Sequence, residues 1–145
     1  MKPEVREIQL CWLKQHEDID PERLKVVKAN LKAYGILHPI VIDHQLHIIL
    51  DGHHRTAAWQ LLGHTYIPAI IVDMFDDRLI LEWRREGYEG KDKLDVVYTV
   101  LQEQRYQPKT TKFMWKCSDG LVTLQEGLRG IDVEYALKEA NKETR

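Results

Sequence analysis

Residues 51–55 read DGHHR and lie at the junction of two segments with different hydrophobic patterns. The apolar run before them, residues 47–50 (HIIL), predicts a buried strand. Residues 56–63 (TAAWQLLG) after them predict a short helix that ends at a glycine. Asp51 therefore lies at the end of a strand, and Gly52 allows the backbone to turn tightly into the helix.

The start of this helix is suited to binding phosphate. Free backbone N–H groups and the partial positive charge of a helix N-terminus attract anions. Arg55 adds a planar fork that matches phosphate oxygens, and Asp51 is a candidate metal ligand or proton acceptor. The alternative is a common Asp-Gly turn followed by two surface histidines, His53 and His54. Because five such residues occur in a row, we favour the phosphate-binding interpretation.

The composition is that of a globular protein without an excess of either charge. The 145 residues are 43% hydrophobic and 30% charged, with a net charge of −2, which argues against a dedicated nucleic-acid partner. No apolar run approaches the roughly 20 residues of a membrane span, and residues 1–4 (MKPE) do not resemble a signal peptide. Cys11 and Cys117 have no metal-binding or disulfide spacing, so we expect buried or unreactive thiols in a reducing cytoplasm.

The pattern on either side of the DGHHR turn predicts an α+β fold. Asp20 is a good N-cap for a helix that ends at Gly35. Strands are expected over residues 5–13, 39–42, 46–50 and 66–72. We therefore predict a single compact domain over residues 1–145, in which a small mixed sheet flanked by helices forms the core at about residues 5–75.

The pattern is looser beyond the core, in residues 76–131. A strand is expected over residues 79–83 and a short strand over residues 113–115. A helix is expected over residues 91–104, with one face formed by Leu94, Val97, Val100 and Leu101. A polar loop is expected over residues 107–112. The tail, residues 132–145, is predicted to be a charged helix with a frayed end.

Residues 21–72 resemble the core of the ParB/sulfiredoxin superfamily. The order is a helix, then GILHPIVID, a hairpin strand, the DGHHR turn with its helix, and the strand YIPAIIVD. Within that superfamily the chain is most similar to the ParB-like free serine kinases. Those proteins carry four short motifs in order, which here are HE (16–17), DGHHR (51–55), WR (83–84) and PKTT (108–111). A sulfiredoxin would need a cysteine where His53 stands.

The resemblance implies phosphoryl transfer from ADP or ATP to the hydroxyl of free serine, with Mg²⁺. It implies that Glu17 is the catalytic base and that Asp51 is a second catalytic group close to the metal. It implies nucleotide- or phosphate-binding roles for Gly52, His53, His54, Arg55, Lys109, Thr110 and Thr111. Trp83 and Lys112 correspond to positions near the substrate.

The chain departs from the clear kinases directly after PKTT, where they continue with Arg-His and this chain has Lys112-Phe113. Lysine keeps the charge of arginine but loses its bidentate fork, and phenylalanine cannot donate a hydrogen bond. The resemblance together with this departure therefore predicts serine, used poorly, or another small hydroxyl compound that is less polar or larger as the acceptor.

Simpler interpretations of single residues remain open. Glu17 is alternatively a solvated acid before a helix, Trp83 a core residue, and residues 108–111 a loop that ends a helix.

Two other functions compete with the kinase. A ParB-like regulator would bind nucleotide or DNA without kinase activity, although no helix-turn-helix pattern follows the core. A degenerate kinase fold would only bind its ligand. The absence of a Gly-rich lysine loop excludes a P-loop enzyme.

Overall fold

A mixed four-stranded sheet forms the centre of the structure, which is a computed structural model that describes residues 1–142. Its strands are β1 (Glu4–Gln9), β2 (Ile40–Asp43), β3 (Ile49–Asp51) and β4 (Tyr66–Val72), in the order β1-β4-β2-β3. β4 runs antiparallel to β1 and parallel to β2, and β3 pairs antiparallel with β2. The predicted α+β class and the small mixed sheet are confirmed.

Helix α1 (Pro21–Tyr34) begins and ends where the sequence predicts. The Asp20 side chain accepts the N–H of Glu22 at 3.0 Å, which satisfies one of the unpaired donors of the first turn. Gly35 ends the helix with a φ of 76°, a left-handed conformation that glycine adopts without strain.

Helix α2 (His53–Leu61) begins earlier than expected, because the first turn forms at His53 rather than at Thr56. Gly52 stands at its N-cap with φ 110°. His53, His54 and Arg55 of the DGHHR turn therefore fall on regular helix, which fixes the directions of their side chains. The return strand β3 is also shorter than predicted, since the Asp43 carboxylate and the left-handed His47 extend the preceding turn.

A second, antiparallel sheet follows, with the order β5-β6-β7. β5 (Leu79–Trp83) matches the prediction, and β6 (Thr111–Cys117) is longer than the predicted residues 113–115. Thr111 and Lys112 thus lie on a strand rather than in a loop. β7 (Gly120–Thr123) and the one-turn helix α4 (Leu124–Gly127) were not expected.

Helix α3 (Lys93–Leu101) is shorter than the predicted residues 91–104 and is rotated from the expected orientation. Asp92 and Asp95 form a capping box that starts it. Val96 and Val100 are buried, whereas Leu94 and Leu101 are exposed. Of the four residues predicted to share one face, Val97 and Val100 therefore pack in the core, whereas Leu94 and Leu101 do not.

The central sheet is covered on both faces, which gives the molecule two apolar cores. Side chains alternate between the faces of a strand, so Ile40 and Ile42 of β2 pack with α1 and α2, while Val41 packs toward the second sheet. β4 follows the same alternation. The continuous apolar run of each strand is explained by burial on both sides.

Helix α5 (Glu134–Lys142) begins two residues after the predicted start of the tail helix. The part of that prediction that falls on residues 143–145 lies outside the described residues. The Asn141 side chain bonds the backbone N–H and C=O of Ile36, at 2.8 Å and 3.0 Å, and so joins α5 to the end of α1. None of the helices within residues 1–142 is long and apolar enough to cross a bilayer.

Candidate active site

A cavity of about 470 Å³ lies between the start of α2, the loop before α1 and the start of β6. It brings together the predicted site residues except Thr110 and Trp83. The predicted residues that line it are Glu17, Asp51, Gly52, His53, His54, Arg55, Lys109, Thr111 and Lys112.

The Glu17 carboxylate is held by three donors from the segment that precedes and starts β6. Oε1 accepts the backbone N–H of Lys109 at 3.0 Å, and Oε2 accepts the backbone N–H of Thr111 at 2.7 Å. Oε2 also accepts a short hydrogen bond from the Thr111 hydroxyl. Glu17 is 8% exposed, so the alternative of a solvated acid does not fit. Three of its roughly four lone-pair sites are used, and the remaining one is on Oε1.

His16 lies behind Glu17 and is fully buried. Its Nε2 atom is 2.8 Å from Thr111 Oγ1 and 3.9 Å from Glu17 Oε2. Burial lowers the pKa of His16 to about 4. The ring is therefore neutral at physiological pH, and its contact with Glu17 is not an ion pair.

The two histidines of the DGHHR turn bind backbone rather than offering charge to a ligand. His53 Nε2 accepts the N–H of His16 at 3.2 Å, and His54 Nε2 accepts the N–H of Asp20 at 3.0 Å. Burial is the main cause that lowers the pKa of both rings, and it lowers the pKa of His53 well below the usual value for a histidine. The nucleotide- or phosphate-binding role that the resemblance implies for His53 and His54 stays a prediction, and the structure shows both rings as acceptors of backbone hydrogen bonds. They anchor the loop that carries Glu17.

Arg55 also differs from expectation, because its fork is occupied by the protein. Nη1 donates to the carbonyl oxygens of His38 and Pro39, each at 2.8 Å, and Nη2 donates to Asp51 Oδ2 at 3.1 Å. The guanidinium thus ties the start of α2 to the chain before β2. Among the described side chains it bonds Asp51, and so it orients that carboxylate.

Asp51 fits a magnesium ligand. Its side chain is 38% exposed, and Arg55 binds Oδ2, whereas no described residue donates a hydrogen bond to Oδ1. Mg²⁺ in phosphoryl-transfer sites is usually held by one or two carboxylates together with phosphate oxygens and water. One partly exposed carboxylate oxygen beside a helix N-terminus is consistent with that arrangement.

Gly52 is required by both its conformation and its surroundings. A Cβ atom there would collide with Ile40 Cγ2, and φ is 110°. As the N-cap of α2 it offers no side-chain cap. The N–H groups of the first turn are therefore suited to an anion from the cavity.

Three cations complete the cavity wall. Lys109 follows Pro108 with a left-handed φ of 61°, Lys112 lies on β6, and Arg23 comes from α1. Arg23 was missed because it belongs to the polar face of α1, which the periodicity places in solvent. Thr123 and Gln125 also line the cavity and were missed with β7 and α4. The pattern Thr-x-x-Glu at residues 123–126 is a helix-start signal that would have located them.

Thr110 and Trp83 lie outside the cavity wall. Thr110 is fully buried and donates to the carbonyl of Gln107 at 2.6 Å. Trp83 stacks on Tyr88 with ring centroids 4.8 Å apart and donates its indole N–H to the carbonyl of Lys91 at 3.0 Å. Their geometry is that of packing residues.

Phe113 lines the cavity but is only 3% exposed. Its ring meets His16 edge-on at 6.0 Å. The position that carries histidine in the clear kinases is therefore an apolar floor here.

A second cavity of about 590 Å³ adjoins the first and shares four residues with it, namely His38, Asp51, Thr123 and Gln125. The rest of its lining is largely aliphatic, with Val41, Ile70, Leu128 and Ile131 among it. The hydrogen-bond contact of 3.3 Å between His38 Nε2 and Gln125 Nε2 joins two residues that line both cavities. A polar, cationic cavity and an apolar one are thus in contact at Asp51.

Asp43, His44 and Asp73 place potential metal-ligand atoms within 4.8 Å of one another. The Asp43 carboxylate already accepts three backbone N–H groups of the surrounding turns. This arrangement is explained by turn formation.

Comparison with known proteins places these features in a family. The ParB N-terminal domain family matches residues 2–83. An ATP-dependent L-serine kinase of Staphylothermus marinus is 37% identical over 80 residues, which cover 52% of this chain and 32% of that protein. A ParB-like protein of Sulfolobus acidocaldarius is 38% identical over 86 residues, covering 53% and 42%. The chain therefore spans less than half the length of these relatives.

The fold is similar to that of a free serine kinase solved in complex with AMP. The TM-score is 0.67 with 17% identity, and the match covers 85% of this chain and 93% of the other. A match of this extent includes residues beyond residue 83.

Proposed function

Because the chain belongs to the ParB N-terminal domain family, we propose that it is the kinase form of that fold, which phosphorylates the hydroxyl of a free amino acid. Serine is the first candidate acceptor. The observation that carries the proposal is the placement of Glu17, from the loop before α1, and Asp51, from the end of β3, in one cavity with cations and a helix N-terminus. Phosphoryl transfer requires these parts, because charge on the phosphate must be neutralised while the nucleophile is held in line.

The two cavities divide the substrates by polarity. The start of α2, with Lys109, Lys112 and Arg23 opposite, suits the phosphates of the donor. The adjoining aliphatic cavity suits its nucleoside. The acceptor hydroxyl then lies near Glu17, on the polar side.

In the reaction, the acceptor hydroxyl donates a hydrogen bond to Glu17 and attacks the terminal phosphorus. The new O–P bond forms as the bond to the leaving nucleotide oxygen breaks, and the hydroxyl proton passes to Glu17. Asp51 would hold Mg²⁺ with the phosphate oxygens, and the ion would neutralise charge on them. The leaving group is ADP if ATP is the donor and AMP if ADP is the donor.

The relative from Staphylothermus marinus is named as ATP-dependent, which makes ATP the first donor to test. A cytoplasmic location is part of the proposal, since Cys11 and Cys117 are exposed free thiols of the kind that a reducing compartment preserves.

The test is a turnover assay with ATP or ADP, Mg²⁺ and a panel of free amino acids and small alcohols, read by phosphorus NMR of the product. We expect phosphorylation of at least one hydroxyl compound, and loss of it in the Glu17→Gln variant. Nucleotide binding in calorimetry without transfer to any acceptor would instead identify a nucleotide-binding regulator. Duplex DNA binding with a steep salt dependence would identify a ParB-like DNA-binding protein.

A further inference from the structure

The His16 side chain has no role in the reaction described so far, although it is fully buried beside the catalytic carboxylate. It reaches Glu17 through one atom, because Thr111 Oγ1 lies within hydrogen-bond distance of both His16 Nε2 and Glu17 Oε2. The three groups form a chain from the interior to the cavity wall.

The direction of the protons in this chain follows from what each group can do. An ionised carboxylate only accepts, so the single proton of the Thr111 hydroxyl is donated to Glu17 Oε2. The hydroxyl oxygen must then accept from His16 Nε2, which places the imidazole proton on Nε2.

The other ring nitrogen does not assign the proton. No hydrogen bond of normal geometry is found for His16 Nδ1 within residues 1–142, and a backbone contact with Ile49 acts to raise the pKa of the ring against the larger effect of burial. The assignment of the proton to Nε2 therefore rests on the Thr111 hydroxyl, which must accept a hydrogen bond from the ring when it donates its own proton to Glu17.

We propose that His16 is a positioning residue that, through the Thr111 hydroxyl, fixes Glu17 Oε2 in the protein and leaves Oε1 as the oxygen that takes the acceptor's proton. Oε1 accepts only the N–H of Lys109 and keeps a lone pair, whereas both lone pairs of Oε2 are used. This inference rests on the proposed kinase reaction, because it assigns the acceptor's proton to one oxygen.

The surroundings of His16 keep the ring in this orientation. His53 meets it edge-on at 4.6 Å and Phe113 at 6.0 Å. Burial holds the pKa of His16 near 4, so the ring stays neutral and a donor at Nε2 at the pH of the assay. Phe113 supplies an apolar wall that does not compete for the Thr111 hydroxyl.

The first test needs neither turnover nor a variant. Nitrogen-15 NMR of the imidazoles in the full chain, at about pH 7, distinguishes the two neutral tautomers and the charged ring. We expect His16 to carry its proton on Nε2. A proton on Nδ1, or on both nitrogens, would overturn the inference whether or not the protein is a kinase.

The second test separates positioning from simple packing. His16→Leu fills the buried position with an apolar side chain that has no donor, whereas the amide of His16→Gln restores a donor near the position of Nε2. We expect the leucine variant to lose about ten- to hundredfold in kcat, the scale of a misplaced catalytic group, with KM for the nucleotide changed less than about twofold. The glutamine variant should recover to within about threefold of wild type. Equal activity of the two variants would overturn the inference.

The same logic applies to Thr111, which protects the test against misfolding of the His16 variants. Thr111→Val should lose kcat as His16→Leu does, and Thr111→Ser should retain it. The double variant His16→Leu/Thr111→Val should be no slower than the slower single variant, because each change already breaks the same hydrogen bond between His16 and Thr111. Additive losses of kcat would contradict the hydrogen-bond chain from His16 through Thr111 to Glu17. If the wild type has no turnover, the proposed function fails and the role of Oε1 fails with it, while the NMR result still decides the tautomer.

Discussion

Arg55 Nη2 lies 3.1 Å from Asp51 Oδ2, so the first and last residues of the DGHHR turn hold each other across the start of a helix. The orientation of the acid therefore depends on a guanidinium whose other nitrogen is bonded to backbone carbonyls before β2. This coupling changes what a substitution in the turn is expected to do.

The Asp51→Asn variant should keep its fold and lose turnover by orders of magnitude. The amide oxygen can still accept from Arg55, but the negative charge proposed to hold Mg²⁺ is removed. Steady-state kinetics and a thermal unfolding curve check both parts. A variant whose turnover stays within about threefold of wild type would remove Asp51 from the catalytic groups.

The Arg55→Ala variant should destabilise the protein rather than only weaken nucleotide binding. Hydrogen bonds from a charged donor are worth about 1.5–3 kcal/mol, and Arg55 makes such bonds to two carbonyls and to Asp51. We expect the free energy of unfolding in urea to fall by that order. Arg23→Ala is the matched control, because Arg23 lines the same cavity but is exposed on α1. It should change stability by less than about 0.5 kcal/mol and should still weaken nucleotide binding.

Gly52→Ala should cost more stability than Gly63→Ala. Both positions have positive φ, 110° and 94°, so both variants lose the roughly 1–2 kcal/mol of a left-handed alanine. At Gly52 the new Cβ also collides with Ile40, whereas nothing lies within 4 Å of a Cβ at Gly63. The difference between the two variants in free energy of unfolding, measured in urea, gives the cost of the collision. Equal losses would show that Ile40 moves aside without cost.

Stability should fall between neutral pH and about pH 4. The pKa of His16 is about 4 in the folded chain and 6.5 in the unfolded one, so the unfolded state binds the proton first as the pH falls. The stabilising contribution is complete above about pH 6.5 and decreases below it, by about 1.4 kcal/mol per pH unit. The total loss of free energy of unfolding is on the order of 3 kcal/mol for His16 alone. The lowered pKa of His53 acts in the same direction. The free energy of unfolding, measured in urea across this pH range, should fall less steeply with decreasing pH for His16→Gln than for the wild type.

The pair Lys112-Phe113 should limit the use of serine. The Lys112→Arg/Phe113→His variant restores a fork and a donor, and we expect it to raise kcat/KM for serine relative to larger or less polar hydroxyl compounds. Because Phe113 is 3% exposed, the added imidazole should also lower the unfolding temperature. The single variant Lys112→Arg is the control with an exposed side chain. Serine turnover that is efficient in the wild type and reduced in the double variant would contradict this prediction.

Local signals were sufficient for much of the fold. Asp20 and Gly35 mark the ends of α1, and continuous apolar runs locate β4 and β5, because caps and burial patterns act within a few residues. β7 and α4 were missed because a four-residue strand followed by a single turn has almost no periodicity.

The sequence predicted which residues line the site better than it predicted the contacts that they make. Glu17, Asp51 and Lys109 do line one cavity, as the motifs indicate. The partners of His53 and His54 are 37 and 34 residues away along the chain, so no local pattern shows that these rings accept hydrogen bonds. For the same reason the fork of Arg55 was assigned to phosphate rather than to backbone carbonyls.

The groups that hold Glu17 come from residues 109 and 111, outside the matched family segment, residues 2–83. Evolution can therefore change the C-terminal part of such a chain while the phosphate turn stays intact. A lineage that replaces this part would keep residues 51–55 and lose both the groups that hold Glu17 and one wall of the two cavities. In engineering terms, the segment after Trp83 is the part to exchange when the hold on Glu17 is to be altered without touching residues 51–55.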